Sequence, residues 1–104
     1  RYIFKKVSEI RKIEEYVKGD YKTLYNMYVR TGPGTNFRIK KVSELTKNGK
    51  ENSLYKNMNS LALYKKGTVF TALEIINNKS SYWAKTPSGY ICLKDLNATY
   101  VKKL

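Results

Sequence analysis

Val29-Arg30-Thr31-Gly32-Pro33-Gly34-Thr35-Asn36-Phe37-Arg38 is the stretch on which the fold turns. A β-rich run from Tyr21 to Arg30 ends on Gly-Pro-Gly and restarts at an aromatic residue. Pro33 presets its own φ and has no N–H to give a ladder, while Gly32 and Gly34 accept backbone angles that other residues resist. A strand therefore stops here in a tight loop. Before the loop, Thr23, Tyr25, Met27 and Val29 alternate onto one face, and Tyr28 and Arg30 share the other.

Working outward, Ile39, Val42 and Leu45 are spaced by three, which predicts a short helix over 38–46 ending before Asn48-Gly49. Residues 47–60 are polar and Asn-rich and read as a loop. Lys65-Lys66-Gly67-Thr68 is a turn into one long β run, Val69 to Ile76, closed by Asn77-Asn78. Tyr82 to Thr86, the turn Pro87-Ser88-Gly89, and Tyr90 to Leu93 form a hairpin. Lys94-Asp95-Leu96 is expected to make a single 3₁₀ turn, and Thr99 to Val101 a last strand. Upstream, Ile3, Val7, Ile10, Ile13 and Val17 recur on one helical face, and Gly19-Asp20 is the stop. Residues 1–20 thus read as a helical junction or linker, and 21–104 as the domain. The expected class is mainly β: five or more short strands in a small barrel, whose closure removes exposed edges.

The 104 residues are 41% apolar and carry a formal charge of +13. Residues 21–104 hold fifteen bases and four acids, hence +11, and residues 1–20 hold six and four, hence +2. A field of that sign concentrates polyanions: teichoic acids, anionic glycans, lipid headgroups or nucleic acid. No apolar run is long enough to cross a membrane. Cys92 is the lone cysteine, so no internal disulfide forms, and its place in Tyr90-Ile91-Cys92-Leu93 reads as a small buried hydrophobe. The sequence shows neither an initiator Met nor an n-region followed by an h-region, so it is expected to be a fragment or a processed form.

Three landmarks in order resemble the bacterial Src-homology-3 (SH3-type) domains that hold hydrolases on cell walls. They are Val29 to Phe37; Tyr64-Lys65-Lys66-Gly67-Thr68-Val69-Phe70; and Trp83-Ala84-Lys85 followed by Gly89 and Tyr90-Ile91-Cys92. The inserted stretch after Phe37 and the Thr99 to Leu104 tail look most like the wall-binding domains of clostridial phage endolysins and autolysins. Two features depart from the family: Tyr28 stands where it usually has Asn, and about twenty residues are inserted after the first loop. The resemblance implies a non-catalytic module that binds Gram-positive peptidoglycan or an attached polymer, outside the cell. It also implies a catalytic domain upstream in the same polypeptide and a possible tandem copy.

The chemistry of the residues agrees with binding. With no His, Ser–His and Cys–His nucleophile systems cannot be assembled. One Cys and eight scattered acids suggest neither a metal site nor a glycosidase pair, and no cofactor fingerprint is present. Ten Tyr, three Phe and one Trp exceed what one small core can enclose, and such rings suit sugar faces and peptide backbones. In the resembled family the ligand lies beside the loop after the first strand, near the late hairpin. That implies Tyr28, Asn36, Phe37, Tyr82, Trp83 and Tyr90 as ligand-binding residues, with Lys85 as a charged rim. Each also has a structural reading: Trp83, Phe37 and Tyr90 as core, Asn36 as a turn residue, Arg30 as a brace for its loop. The competing reading is a basic nucleic-acid-binding barrel, against which the lysines are scattered and arginines few.

Overall fold

The computed structural model describes residues 16–104. The expected helix over 3–18 falls almost wholly outside that range; its last residues, 16–18, carry no helix. The described chain is mainly β. Strand β1 is Gly19–Thr23, with Tyr21 and Thr23 buried and Asp20 and Lys22 exposed. The run does not continue to Arg30 as expected. The chain leaves the ladder after Thr23, whose Oγ1 donates to the carbonyl of Lys65 and accepts the Thr68 N–H, at 3.1 and 3.0 Å. Leu24, Tyr25 and Asn26 bend away, so Tyr25 is exposed and meets Tyr100 edge-on instead of joining the core face. Strand β2, Met27–Tyr28, then resumes, and Val29 is fully buried.

The segment after Phe37 corrects the sequence reading. The expected helix over 38–46 is one 3₁₀ turn, Val42–Glu44, and the expected loop contains helix α1, Lys47–Asn52. Thr46 starts α1 by accepting the Gly49 N–H at 3.0 Å, as an N-cap should. The only buried residue of α1 is Gly49, so no apolar periodicity announces it. Strand β3, Leu63–Tyr64, pairs with β2.

The expected single run Val69 to Ile76 is split at Leu73 into β4, Val69–Ala72, and β5, Glu74–Asn78. β5, β6 (Ser81–Lys85) and β7 (Tyr90–Lys94) form an antiparallel meander. The tip of the β6–β7 hairpin is fixed by Thr86, whose Oγ1 accepts from Ser88 and Gly89 N–H and donates to the Gly89 carbonyl. Gly89 has φ +150°, and a Cβ there would lie 2.7 Å from Val29 Cγ1. The last strand, β8, is Val101–Lys103, two residues later than expected. The expected 3₁₀ turn at Lys94 to Leu96 is replaced by a turn that the Asp95 carboxylate caps.

The strands make three small sheets, in the orders β4-β1-β8, β2-β3 and β5-β6-β7. Isolated bridges link Arg30, just after β2, to Tyr90 of β7, and Lys94 of β7 to Thr99, just before β8; Arg30–Ile39 and Ser53–Tyr64 add further pairs beside the sheets. Between the sheets lie Tyr21, Val29, Phe70, Ala84, Ile91, Leu93 and Val101, all buried. Fully buried Val29, Ile91 and Leu93 each contribute about 1.5–3 kcal/mol relative to exposure.

Candidate functional site

The loops at one end of the sheets enclose a cleft of about 620 Å³. That volume is in the range of small-ligand sites. Its floor is Met27, Trp83, Cys92 and Tyr100, and its walls are the Gly34–Asn36 loop, the β5–β6 turn from Asn78 to Ser81, and the Asp95–Asn97 turn. Tyr28, Asn26 and Arg30 complete the lining.

Each wall is tied down locally. Arg30 donates Nη1 to the carbonyls of Thr35 and Phe37, at 3.3 and 2.9 Å, and is the brace expected of it. Asn78 donates Nδ2 to the Pro33 carbonyl at 2.8 Å, joining the β5–β6 turn to the first loop. Gly32 and Gly34 are not the left-handed residues expected; the positive-φ glycines are Gly19, Gly67 and Gly89. Their value is space. A Cβ on Gly32 would lie 2.5 Å from the Phe37 ring, which folds back across its own loop.

The third wall is held by Asp95. Its Oδ1 accepts the Asn97 and Ala98 N–H groups at 2.8 and 3.1 Å, and its Oδ2 accepts the Tyr100 hydroxyl at 2.8 Å. Partial burial raises the Asp95 pKa, but the hydrogen bonds from Tyr100, Asn97 and Ala98 outweigh it and hold the carboxyl below its ordinary value. The same bond, then burial, pushes the Tyr100 phenol up to about 12. Burial, with Asp95 adding to it, pushes the Cys92 thiol up to about 11, so it stays protonated at neutral pH. Cys92 is half-buried and faces the cleft, where the sequence placed it simply in the core.

Of the seven residues expected at the site, the structure brings together Tyr28, Asn36 and Trp83. Trp83 takes both readings, being 3% exposed yet part of the floor, with Nε1 donating to Ser81 Oγ at 2.9 Å. Trp83 pairs with Cys92 and Ala84 with Ile91 in regular register, so the two side chains lie on opposite faces of β6, and both are buried. The other four stand outside the cleft. Phe37 is spent on Gly32. Tyr82 packs on Tyr16, ring centroids 5.1 Å apart. Lys85 is exposed in the ladder row Glu74–Lys85–Tyr90, and Tyr90 pairs its backbone with Arg30.

Sequence reading missed Asn26, Asn78, Ser81, Asp95, Asn97 and Tyr100. The available signal was that Asn77-Asn78 and Asp95-Leu96-Asn97 close strands on the side where the first loop lies. The Asn36 and Asn97 carboxamides have no hydrogen-bond partner among the described residues, which leaves them as free donors and acceptors beside an apolar floor. Asp95 is the only acid in the lining, and no cluster of potential metal ligands occurs among the described residues. The described residues thus define a small, mainly β domain with a sizeable open cleft whose lining combines amide, hydroxyl and aromatic groups. No family model, curated protein or solved structure matches this chain.

Proposed function

We propose that this chain is a binding module of the bacterial SH3 type, which targets a peptidoglycan hydrolase to the Gram-positive cell wall. On this reading the three sheets are the walls of a small closed barrel, with the bridges at Arg30 and Lys94 as its seams. The ligand is peptidoglycan or a polymer attached to it, and it lies in the cleft over Tyr28, Trp83 and Tyr100. The observation that carries the reading is the cleft's composition. Free carboxamides and hydroxyls surround aromatic rings, which suits the amides, acetamido groups and hydroxyls of wall polymer. The module does no chemistry of its own. It keeps a linked hydrolase concentrated on a dense lattice of sites, an effect that can exceed single-site affinity by about 10²–10⁴.

The test is sedimentation of the fluorophore-labelled chain with purified Gram-positive sacculi. Binding is expected at low salt, and Tyr28→Ala and Asn36→Ala are each expected to weaken it several-fold while the far-UV spectrum stays native. No binding, or variants that bind as well as the parent, would overturn the reading. A steep log–log fall with salt, together with equally tight binding to single-stranded DNA, would replace it with nucleic-acid binding.

A further inference from the structure

We propose that the outward face of the β2–β3 sheet docks on an anionic lipid bilayer. This surface goes beyond the wall-binding reading and meets the cleft only at Tyr28.

The ladder registers place the residues. Tyr28 is opposite Leu63, and Met27 is opposite Tyr64. On the other side of β3, Ser53 bridges Tyr64, and Leu54 donates its N–H to the Leu63 carbonyl at 2.7 Å. Tyr28, Leu63 and Leu54 therefore form one cross-strand row, in which Leu63 is covered at 9% exposure while Tyr28 and Leu54 on either side of it stay exposed; Met27, Tyr64 and Ser53 form the buried row beneath. Leu61, two residues before Leu63, returns to the outward face and is opposite Lys41. Tyr28, Leu54 and Leu61 are 41%, 42% and 45% exposed, and Tyr55 and Met58 in the adjoining loop about half. Exposed apolar side chains grouped along one sheet edge and its adjoining loop are the kind of surface that marks a contact.

Charge selects the occupant. Exposed Lys41 stands opposite Leu61, and exposed Lys65 follows two residues after Leu63, so a lysine flanks each end of the apolar row. Of the nearby acids, Glu44 is held by both guanidinium nitrogens of Arg38 at 2.8 and 2.6 Å, which leaves Glu51 on α1. Apolar side chains with tyrosines among them, ringed by lysine, match the acyl boundary and the anionic headgroups of a bilayer surface. A second copy is disfavoured, because each carries +13.

Co-sedimentation with vesicles tests this. The chain is expected to bind mixed phosphatidylglycerol–phosphatidylcholine vesicles and to bind phosphatidylcholine vesicles far less. The Leu54→Ser/Leu61→Ser pair is expected to weaken partitioning by about tenfold or more. Asn36→Ala, in the cleft, should bind vesicles like the parent, and the leucine pair should still bind sacculi, so failure of either reading leaves the other standing. If the leucine pair loses its far-UV spectrum, Lys41→Glu/Lys65→Glu carries the test with the same expected loss. Four results would overturn the proposal: no binding to anionic vesicles at low salt, equal binding to neutral ones, undiminished binding by the variants, or self-association that the leucine substitutions abolish.

Discussion

Replacing Asp95 with Ala removes the clamp on one wall of the cleft. Three hydrogen bonds converge on that carboxylate, two from the backbone of its own turn and one from Tyr100. Asp95 is half-buried, so water recovers part of the loss. Taking the low end of the usual contribution for each bond, the variant should lose about 1–2 kcal/mol of stability. For a domain of this size that corresponds to a fall in Tm of about 5–10 °C, read by circular dichroism or calorimetry. Tyr100→Phe should cost less, and should cost almost nothing further once Asp95 is gone, because its hydroxyl then has no acceptor. The pH dependence follows from the directions of the shifts. The Asp95 carboxyl is depressed in the folded chain, so its contribution is fully present above the ordinary value of 3.8 and is lost as pH falls below that through its folded value. Tyr100 is raised to about 12, so its contribution is present below the ordinary value of 10.0 and disappears as pH climbs through 12. The parent's stability should therefore fall more steeply at both extremes than that of Asp95→Ala. An unchanged Tm in Asp95→Ala, or a Tyr100→Phe cost that is the same with and without Asp95, would refute the clamp.

Gly49→Ala should destabilise the chain although alanine favours helix by about 1 kcal/mol over glycine. The new Cβ would collide with Ser88 Oγ and lie 2.9 Å from the Tyr64 hydroxyl. Ser88 is bonded to Thr46 N and Oγ1 and cannot withdraw freely, so a net loss of about 1–2 kcal/mol is expected from urea midpoints, partly restored by Ser88→Gly. Trp83→Ala should cost about 3–5 kcal/mol by the same assay, because the ring is almost wholly buried, so lost binding in that variant reports folding rather than contact. Cys92, with its thiol at about 11 against an ordinary 9.0, should alkylate with iodoacetamide at pH 8 at least about tenfold more slowly than an unperturbed thiol, the fall in thiolate fraction outweighing its higher nucleophilicity. Equal rates would mean that the thiol is not desolvated.

The mainly β class and the β6–β7 hairpin were legible because alternation and turn residues act locally. Thr86, Pro87, Ser88 and Gly89 make their own turn whatever surrounds them. What escaped notice depended on distant partners. The break after Thr23 is made by the turn at 65–68, more than forty residues on, and α1 is made by a cap and a glycine contact that leave no hydrophobic pattern. The same holds for the site. Tyr28 and Asn36 were implied by the family resemblance, and both reach the cleft. Phe37, Tyr82 and Tyr90 were implied by the same resemblance, but a ring has no information about which neighbour it will cover. Phe37 covers Gly32 and Tyr82 covers Tyr16. The asparagines that line the cleft look in sequence like ordinary strand ends, and only the convergence of three loops gives them a shared purpose.

The most direct measurement is a nitrogen-edited NMR titration of the labelled chain with soluble fragments of Gram-positive peptidoglycan. Shifts are expected to concentrate on the cleft: the backbone of Tyr28 and the side-chain amides of Asn36, Asn78 and Asn97, with the Trp83 indole signal moving alongside. Lys85 and Lys47, away from it, should stay still. A saturating response centred elsewhere on the surface, or no response at millimolar fragment, would contradict it.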